Sequence, residues 1–225
     1  MKLGVIGCIN GCIDRLNKLL LSSNADLFLC MGDIGILKGS YYNNNTGYME
    51  REIEYRSPVK PVIFTLASQD TGKLLHEFNK THLNGLFKIK DNLYYLPVGK
   101  TCYYNGINIA SLGGEFNSLS YYKDRLKLTP KQRASYTLND FIDIVDRKDI
   151  DIVLTYESPY PFLKVNNCHI YNYGKKDITE LIKKINPFYH FHRDSDTHKS
   201  QIINYSTSIS IPDGCMFEYD LGVIE

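Results

Sequence analysis

This sequence has almost no charge imbalance: 26 Lys and Arg face 25 Asp and Glu, for a formal net charge of +1 over 225 residues. There is no global polyelectrolyte field, so any nucleic-acid contact has to come from a local patch. The six cysteines, at 8, 12, 30, 102, 168 and 215, form no CxxC pair. That spacing is poor zinc-ribbon arithmetic and predicts reduced intracellular thiols. Apolar runs stop well short of the ~18 residues a membrane span needs, and no signal peptide is legible. No internal repeat and no interdomain linker stand out. Gly113-Gly114 has neither Walker nor Rossmann spacing. The expectation is a soluble intracellular protein with no membrane partner. Residues 1–225 should form one domain, long enough for a well-buried α/β core.

What is present begins with a strand, a turn and a helix. Residues 2–6 read as a buried strand, and Ile13, Leu16, Leu19 and Leu20 recur at helical spacing. Between them lies Gly7-Cys8-Ile9-Asn10-Gly11, at the carboxyl end of a strand, where α/β sheets bind ligands. Residues 26–31 and 61–67 predict two more buried strands, ended by Gly32-Asp33 and Ser68-Gln69-Asp70. The polar connection 34–57 predicts a helical middle over 49–55, and 70–78 reads as a helix. Short strands over 93–96, 100–104 and 107–112, with a hairpin turn at Asn105-Gly106, imply a second, antiparallel layer. Residues 130–147 predict a helix, with Pro130 near its start and Leu138, Phe141, Ile142 and Val145 on one face. A strand over 151–154 ends at Tyr156-Glu157. A helix over 177–185 and a strand over 188–191 follow, and strands over 201–204 and 216–221 close the chain. Polar residues gather at strand ends 8–11, 32–33, 68–70, 156–157 and 192–198, which predicts a single constructed site.

These turns fall in the order of the calcineurin-like metallophosphoesterases, which place DxH, GD, GNH(E/D), a lone His and GHxH on successive strand ends. The resemblance implies a sandwich of two mixed sheets flanked by helices, and two metals clamping a phosphoryl group. Lariat debranching enzymes look like the nearest active relatives. Their first turn reads G-C-x-H-G, so Cys8 agrees and Asn10 stands in place of a His. DLFLCMGD keeps Asp33, the family's bridging carboxylate. Ser68-Gln69-Asp70 replaces Asn-His-Glu, Tyr156 replaces the lone His, and Asp194 and Asp196 fall where GHxH places its histidines. The catalytically degenerate branch matches better. DLFLCMGD, LTYESPYP, PFYHF and the closing MFEYDLGVI resemble, in order, the N-terminal domain of the CwfJ family, the splicing proteins associated with the debranching enzyme. That resemblance covers nearly the whole sequence. The Cys/His-rich domains that normally follow are not in it, so it reads as a piece of a longer protein or as a minimal member.

The residues themselves leave alternatives. Asp33 bridges metals or caps a turn. Asn10, Ser68 and Gln69 are neutral and cannot replace imidazole in a tight transition-metal site, so a hydrogen-bonded rim is the plainer reading. Asp194 and Asp196 are able to bind Mn²⁺ or Mg²⁺ together with Asp33, or they form an ordinary loop. Tyr156 fills metal-pocket volume. Cys8 reads as inert and half-buried. His190 and His192 point the same way along their strand. His192, Arg193, His198 and Lys199 sit close enough in sequence to receive a phosphate, or they form a solvated edge. Tyr121, Tyr122, Lys123, Arg125 and Lys127, continuing to Lys131 and Arg133, have the composition of a single-strand RNA contact or of a solvated loop.

The resulting expectation is a degenerate phosphoesterase without a cofactor. The resemblance implies a nuclear protein, with the cytoplasm as a second location, acting in intron-lariat turnover. Its implied partners are the lariat debranching enzyme, branched or single-stranded intron RNA and late spliceosome components. The alternatives are a weakly active phosphodiesterase or ribonuclease that uses Mn or Mg at Asp33, Asp194 and Asp196, with His192 as general acid, and a pure protein adaptor.

Overall fold

Two sheets packed face to face bring their strand ends to one rim in the computed structural model, which describes residues 1–34, 41–43, 47–49, 57–67, 82–129, 132–166, 169–194 and 196–222. In chain order the elements begin with β1 (Lys2–Ile6), α1 (Ile13–Leu21), β2 (Leu27–Cys30), β3 (Tyr41–Asn43), β4 (Gly47–Met49), β5 (Val62–Phe64) and β6 (His82–Leu83). They continue with β7 (Leu86–Lys90), β8 (Leu93–Tyr95), β9 (Lys100–Tyr104), β10 (Ile107–Leu112), β11 (Glu115–Phe116), β12 (Ser135–Tyr136) and α2 (Leu138–Val145). The chain then runs through β13 (Ile152–Thr155), β14 (Phe162–Asn166), β15 (His169–Tyr173), α3 (Lys176–Ile185) and β16 (Tyr189–Asp194). It closes with β17 (Lys199–Ile203), β18 (Ser206–Pro212) and β19 (Met216–Asp220).

The seven-stranded sheet has the order β19-β1-β2-β5-β8-β7-β6, and the six-stranded sheet β17-β18-β16-β13-β10-β9. Both are parallel at the centre and antiparallel at the margins. Alternation along each strand creates two faces. Leu3, Val5, Leu29 and Ile63 from the first sheet meet Ile109, Leu154, Phe191 and Ile211 from the second between the layers. The outer faces take the helices. α1 buries Leu16 and Leu20, α2 Ile144 and Val145, and α3 Ile178, Leu181, Ile182 and Ile185.

Several elements agree with the sequence and several differ. Asn105 and Gly106 both have positive φ, 49° and 86°, as a tight hairpin between β9 and β10 requires. The helix expected over 177–185 is α3. The helix expected over 130–147 starts only at Leu138, because Thr137 and Asp140 form a reciprocal capping box there. Just before it, Ser135–Tyr136 pairs with Glu115–Phe116. The second layer is mixed rather than antiparallel, since β10, β13, β16 and β18 run parallel. The strand over 93–96 joins the first sheet instead, through Val62↔Leu93. Neither β18 nor the β14–β15 hairpin was legible: Ser-Thr-Ser-Ile-Ser-Ile-Pro carries a buried polar face that mimics a loop composition. Met49 lies in β4, and the rest of the expected helix 49–55 lies outside the described residues, as does that over 70–78.

Candidate functional site

The parallel strands of both sheets end on one side, and their connections interlock there. Gly7 N–H donates to the Cys215 carbonyl at 3.0 Å, and Gly214 N–H donates to the Cys8 carbonyl at 2.7 Å. Gly114 N–H donates to the Leu66 carbonyl at 2.7 Å. The Thr65 and Ser111 hydroxyls also bond across the two layers. The rim therefore gathers Gly7–Asn10, Gly32–Asp33, Thr65–Ala67, Gly113–Gly114, Tyr156, Arg193 and Asp213.

Gly7 and Gly32 make this closure sterically allowed. A Cβ at Gly7 would stand 1.9 Å from the Pro212 carbonyl oxygen. At Gly32, with φ at 91°, a Cβ would stand 2.6 Å from the Thr65 carbonyl oxygen. The next residue, Asp33, is also left-handed at φ 56°, and it is buried. Its carbonyl accepts the Gly11 N–H at 2.7 Å. Asn10, at φ 53°, is exposed at the tip of the first turn.

Arg193 dominates the centre of the rim. Its Nε donates to Asp213 at 2.8 Å, and its Nη2 donates to the second oxygen of the same carboxylate at 2.5 Å. Nη1 donates to the Tyr156 hydroxyl at 3.0 Å, and the guanidinium lies 5.2 Å from the Tyr156 ring centroid. This bidentate pairing holds Arg193 firmly charged. Cys8 is buried beside it, with its thiol donating to the Met31 carbonyl at 3.3 Å. Burial above all, then Cys30 and Asp213, pushes the Cys8 thiol well above its ordinary value, which disfavours the thiolate that a nucleophile needs.

The second aspartate region is built differently. Asp194 is buried and accepts the Asp196 and Thr197 N–H groups at 2.9 and 3.3 Å, together with the Tyr173 hydroxyl. It closes its own turn, while Asp196 stands exposed. Burial pushes Glu157 upward, and it accepts the Phe116 N–H at 3.1 Å.

His192 and Arg193 are adjacent in sequence but lie on opposite faces of β16. His192 is fully buried on the outer face, against Phe162 at a centroid distance of 4.7 Å and with Nδ1 3.0 Å from the Ser158 hydroxyl. His198 stacks on Phe217 at 3.8 Å and meets the Tyr219 hydroxyl at 2.9 Å. Lys199 Nζ reaches the Leu163 carbonyl at 3.5 Å. The structure does not bring these four residues to one point.

The basic turn is likewise divided. Arg125 grips Asp140 with Nε and Nη2, the latter at 2.7 Å, and donates to the Arg133 and Ser135 carbonyls. Tyr121 is half-buried between Phe116 and Tyr136, at centroid distances of 5.0 and 6.0 Å. Tyr122, Lys123 and Lys127 are exposed. Ser68, Gln69, Asp70 and Lys131 lie outside the described residues.

The described donors do not fit a divalent metal pair. Such a centre needs several imidazole or carboxylate groups converging on each ion. Here a fixed guanidinium occupies the rim, the tyrosine hydroxyl is spent on it, and Asp194 is tied into its own turn. No group of three or more His, Cys, Asp or Glu could hold a metal among the described residues. The residue that sequence reasoning missed is Asp213. Its only signal was an Asp-Gly turn before the last strand, with nothing in the local sequence to link it to Arg193.

A family model for calcineurin-like phosphoesterases matches residues 1–191. Among solved structures, TT1561 of Thermus thermophilus is similar in fold, with a TM-score of 0.61 and 15% identity over 95% of this chain and 89% of that one. A second solved structure has a TM-score of 0.61 and 11% identity over 94% of this chain and 90% of that one. No curated protein matches the chain.

Proposed function

Since this chain belongs to the calcineurin-like phosphoesterase family, we propose that it is a degenerate member, which keeps the phosphoesterase shape as a binding scaffold and does not hydrolyse phosphodiesters. The observation that carries this reading is the Arg193–Asp213 pair seated under Tyr156 at the strand ends. Two-metal hydrolysis relies on paired cations to generate hydroxide and to clamp the leaving oxygen. A guanidinium already neutralised by a carboxylate does neither, and it fills the space where a cation would sit. Arg193 is too strongly protonated to serve as a base, Cys8 is held as a thiol, and His192 is buried on the far face. Among the described residues the rim thus lacks an activated nucleophile as well as a clamp.

The setting we propose follows from the resemblance to the CwfJ family: intron-lariat RNA turnover in the nucleus, beside the lariat debranching enzyme and late spliceosome components. RNA contact in this reading falls to Lys123, Lys127 and Tyr122, which are exposed, whereas Arg125 supports the turn from within.

The test uses purified protein with Mn²⁺, a model phosphodiester and a branched RNA. The expected result is no cleavage, together with RNA binding that weakens steeply with salt. Mn²⁺-dependent cleavage that disappears in Asp33→Ala overturns the reading.

A further inference from the structure

A different part of the molecule, using none of the rim residues, presents an open sheet edge. β17 ends the six-stranded sheet and pairs only with β18 among the described residues. Edge strands are usually blunted by proline, by a bulge or by charges along their length. β17 (Lys-Ser-Gln-Ile-Ile) has a lysine only at its first position, and its register runs unbroken from Lys199↔Ser210 to Ile203↔Ser206. Ile202 is 68% exposed, and Tyr205, just past the strand, is 84% exposed.

Beside this edge runs a groove of about 630 Å³, with Gln201, Ile202 and Asn204 on the strand side and Tyr160, Lys176 and Lys183 across from them. Lys176 and Lys183 are seven residues apart on α3 and so project on one side of it. Lys176 Nζ lies 5.9 Å from the Tyr160 ring centroid, and no described carboxylate pairs with it. Glu180 is held by Lys183 at 3.0 Å. The groove is thus lined by two lysines and one carboxylate, and it carries more cation than acid. An unpaired strand edge recognises extended backbone, and its frame of lysines recognises acid.

We propose that the β17 edge and this groove dock an extended acidic segment of a partner protein, which adds as a further strand to β17 and sets carboxylates against Lys176 and Lys183. A second copy of this chain pairing edge to edge would bring the same lysines together, so charge selects against it. Nucleic acid has no peptide backbone to continue the ladder.

The probe is a blocked seven-residue peptide of alternating valine and glutamate, titrated into ¹⁵N-labelled protein. Saturable amide shifts are expected at residues 176–183 and 201–204. N-methylation of alternate peptide amides should abolish them, because it removes the ladder donors. The double variant Lys176→Glu/Lys183→Glu should weaken binding about tenfold. Both lysines are exposed, so the thermal midpoint should hold. Should that variant fail to fold, Ile202→Glu gives the same weakening from the strand side. The absence of shifts in these residues at millimolar peptide overturns the proposal. So does undiminished binding of the N-methylated peptide, displacement of the peptide by an oligouridylate, or self-association through this edge.

Discussion

At the residue scale, single atoms decide whether the two sheets can close. Gly7 has no room for a methyl group: its Cβ would overlap the Pro212 carbonyl, the point where the β18–β19 turn crosses the end of β1. Gly7→Ala should therefore cost about 3 kcal/mol or more, as overpacking against rigid backbone does, read as a lowered urea midpoint. Arg125 and its basic neighbours separate along the same logic. Arg125→Ala takes the cation from the Asp140 carboxylate, which keeps its Thr137 cap bonds and whose side chain is 7% exposed against 32% for the arginine, and should cost roughly 2 kcal/mol after allowance for partial solvation. Lys123→Ala and Lys127→Ala should stay within about 0.5 kcal/mol. Under the RNA reading the two lysine variants should weaken RNA binding, and Arg125→Ala should do so only by loosening the turn. Parallel thermal and RNA-binding titrations of the three variants separate these effects.

At the element scale, β16 carries two chemistries on one strand. Its inner face sends Phe191 into the sandwich and Arg193 to the rim. Its outer face buries His190 and His192 with ring centroids 5.3 Å apart, His190 between the Thr155 and Ser208 hydroxyls at 2.9 and 2.8 Å. Burial holds both imidazoles neutral: His190 lies well below the ordinary histidine value, and His192 is lowered to about 4. In the unfolded chain both take up protons near pH 6.5. Between about pH 6.5 and 4 the unfolded state therefore binds more protons, and stability falls as the pH is lowered. The loss approaches about 1.4 kcal/mol per pH unit for each histidine. Urea midpoints measured from pH 7.5 to 4.5 should be flat at first and then drop. His192→Gln should make the drop shallower, and an unchanged slope would remove His192 from the account.

At the scale of the whole molecule, a ligand that binds only the folded state raises the thermal midpoint by mass action. If the rim holds no divalent metal, millimolar Mn²⁺ or EDTA should leave that midpoint within a degree or so. A Mn²⁺-induced rise that Asp33→Ala removes would mean that a metal site forms despite Arg193. The net charge of +1 supplies no long-range field of its own to mask such an effect.

Much of this architecture is legible in the residue order. Short apolar runs mark β1, β2 and β5, helical spacing marks α1, and Asn105-Gly106 marks its hairpin, because these signals are local. The family resemblance likewise rests on the order of short strand-end turns, which survives even where the residues in them have changed. The rest depended on contacts that no local pattern encodes. Period two placed His190 and His192 on one face and Arg193 on the other, but only the covering hairpin and the facing sheet determined which face is dry and which reaches the rim. The pairing of Arg193 with Asp213 comes from a turn 20 residues further on, and that of Arg125 with Asp140 from a helix cap 15 residues away. In both cases a charge that reads as a free surface cation in the sequence is neutralised by a partner that the fold delivers. The residue order sets which residue types crowd the strand ends, and the fold sets which of them remain available, because ion pairing and burial depend on where loops cross in space.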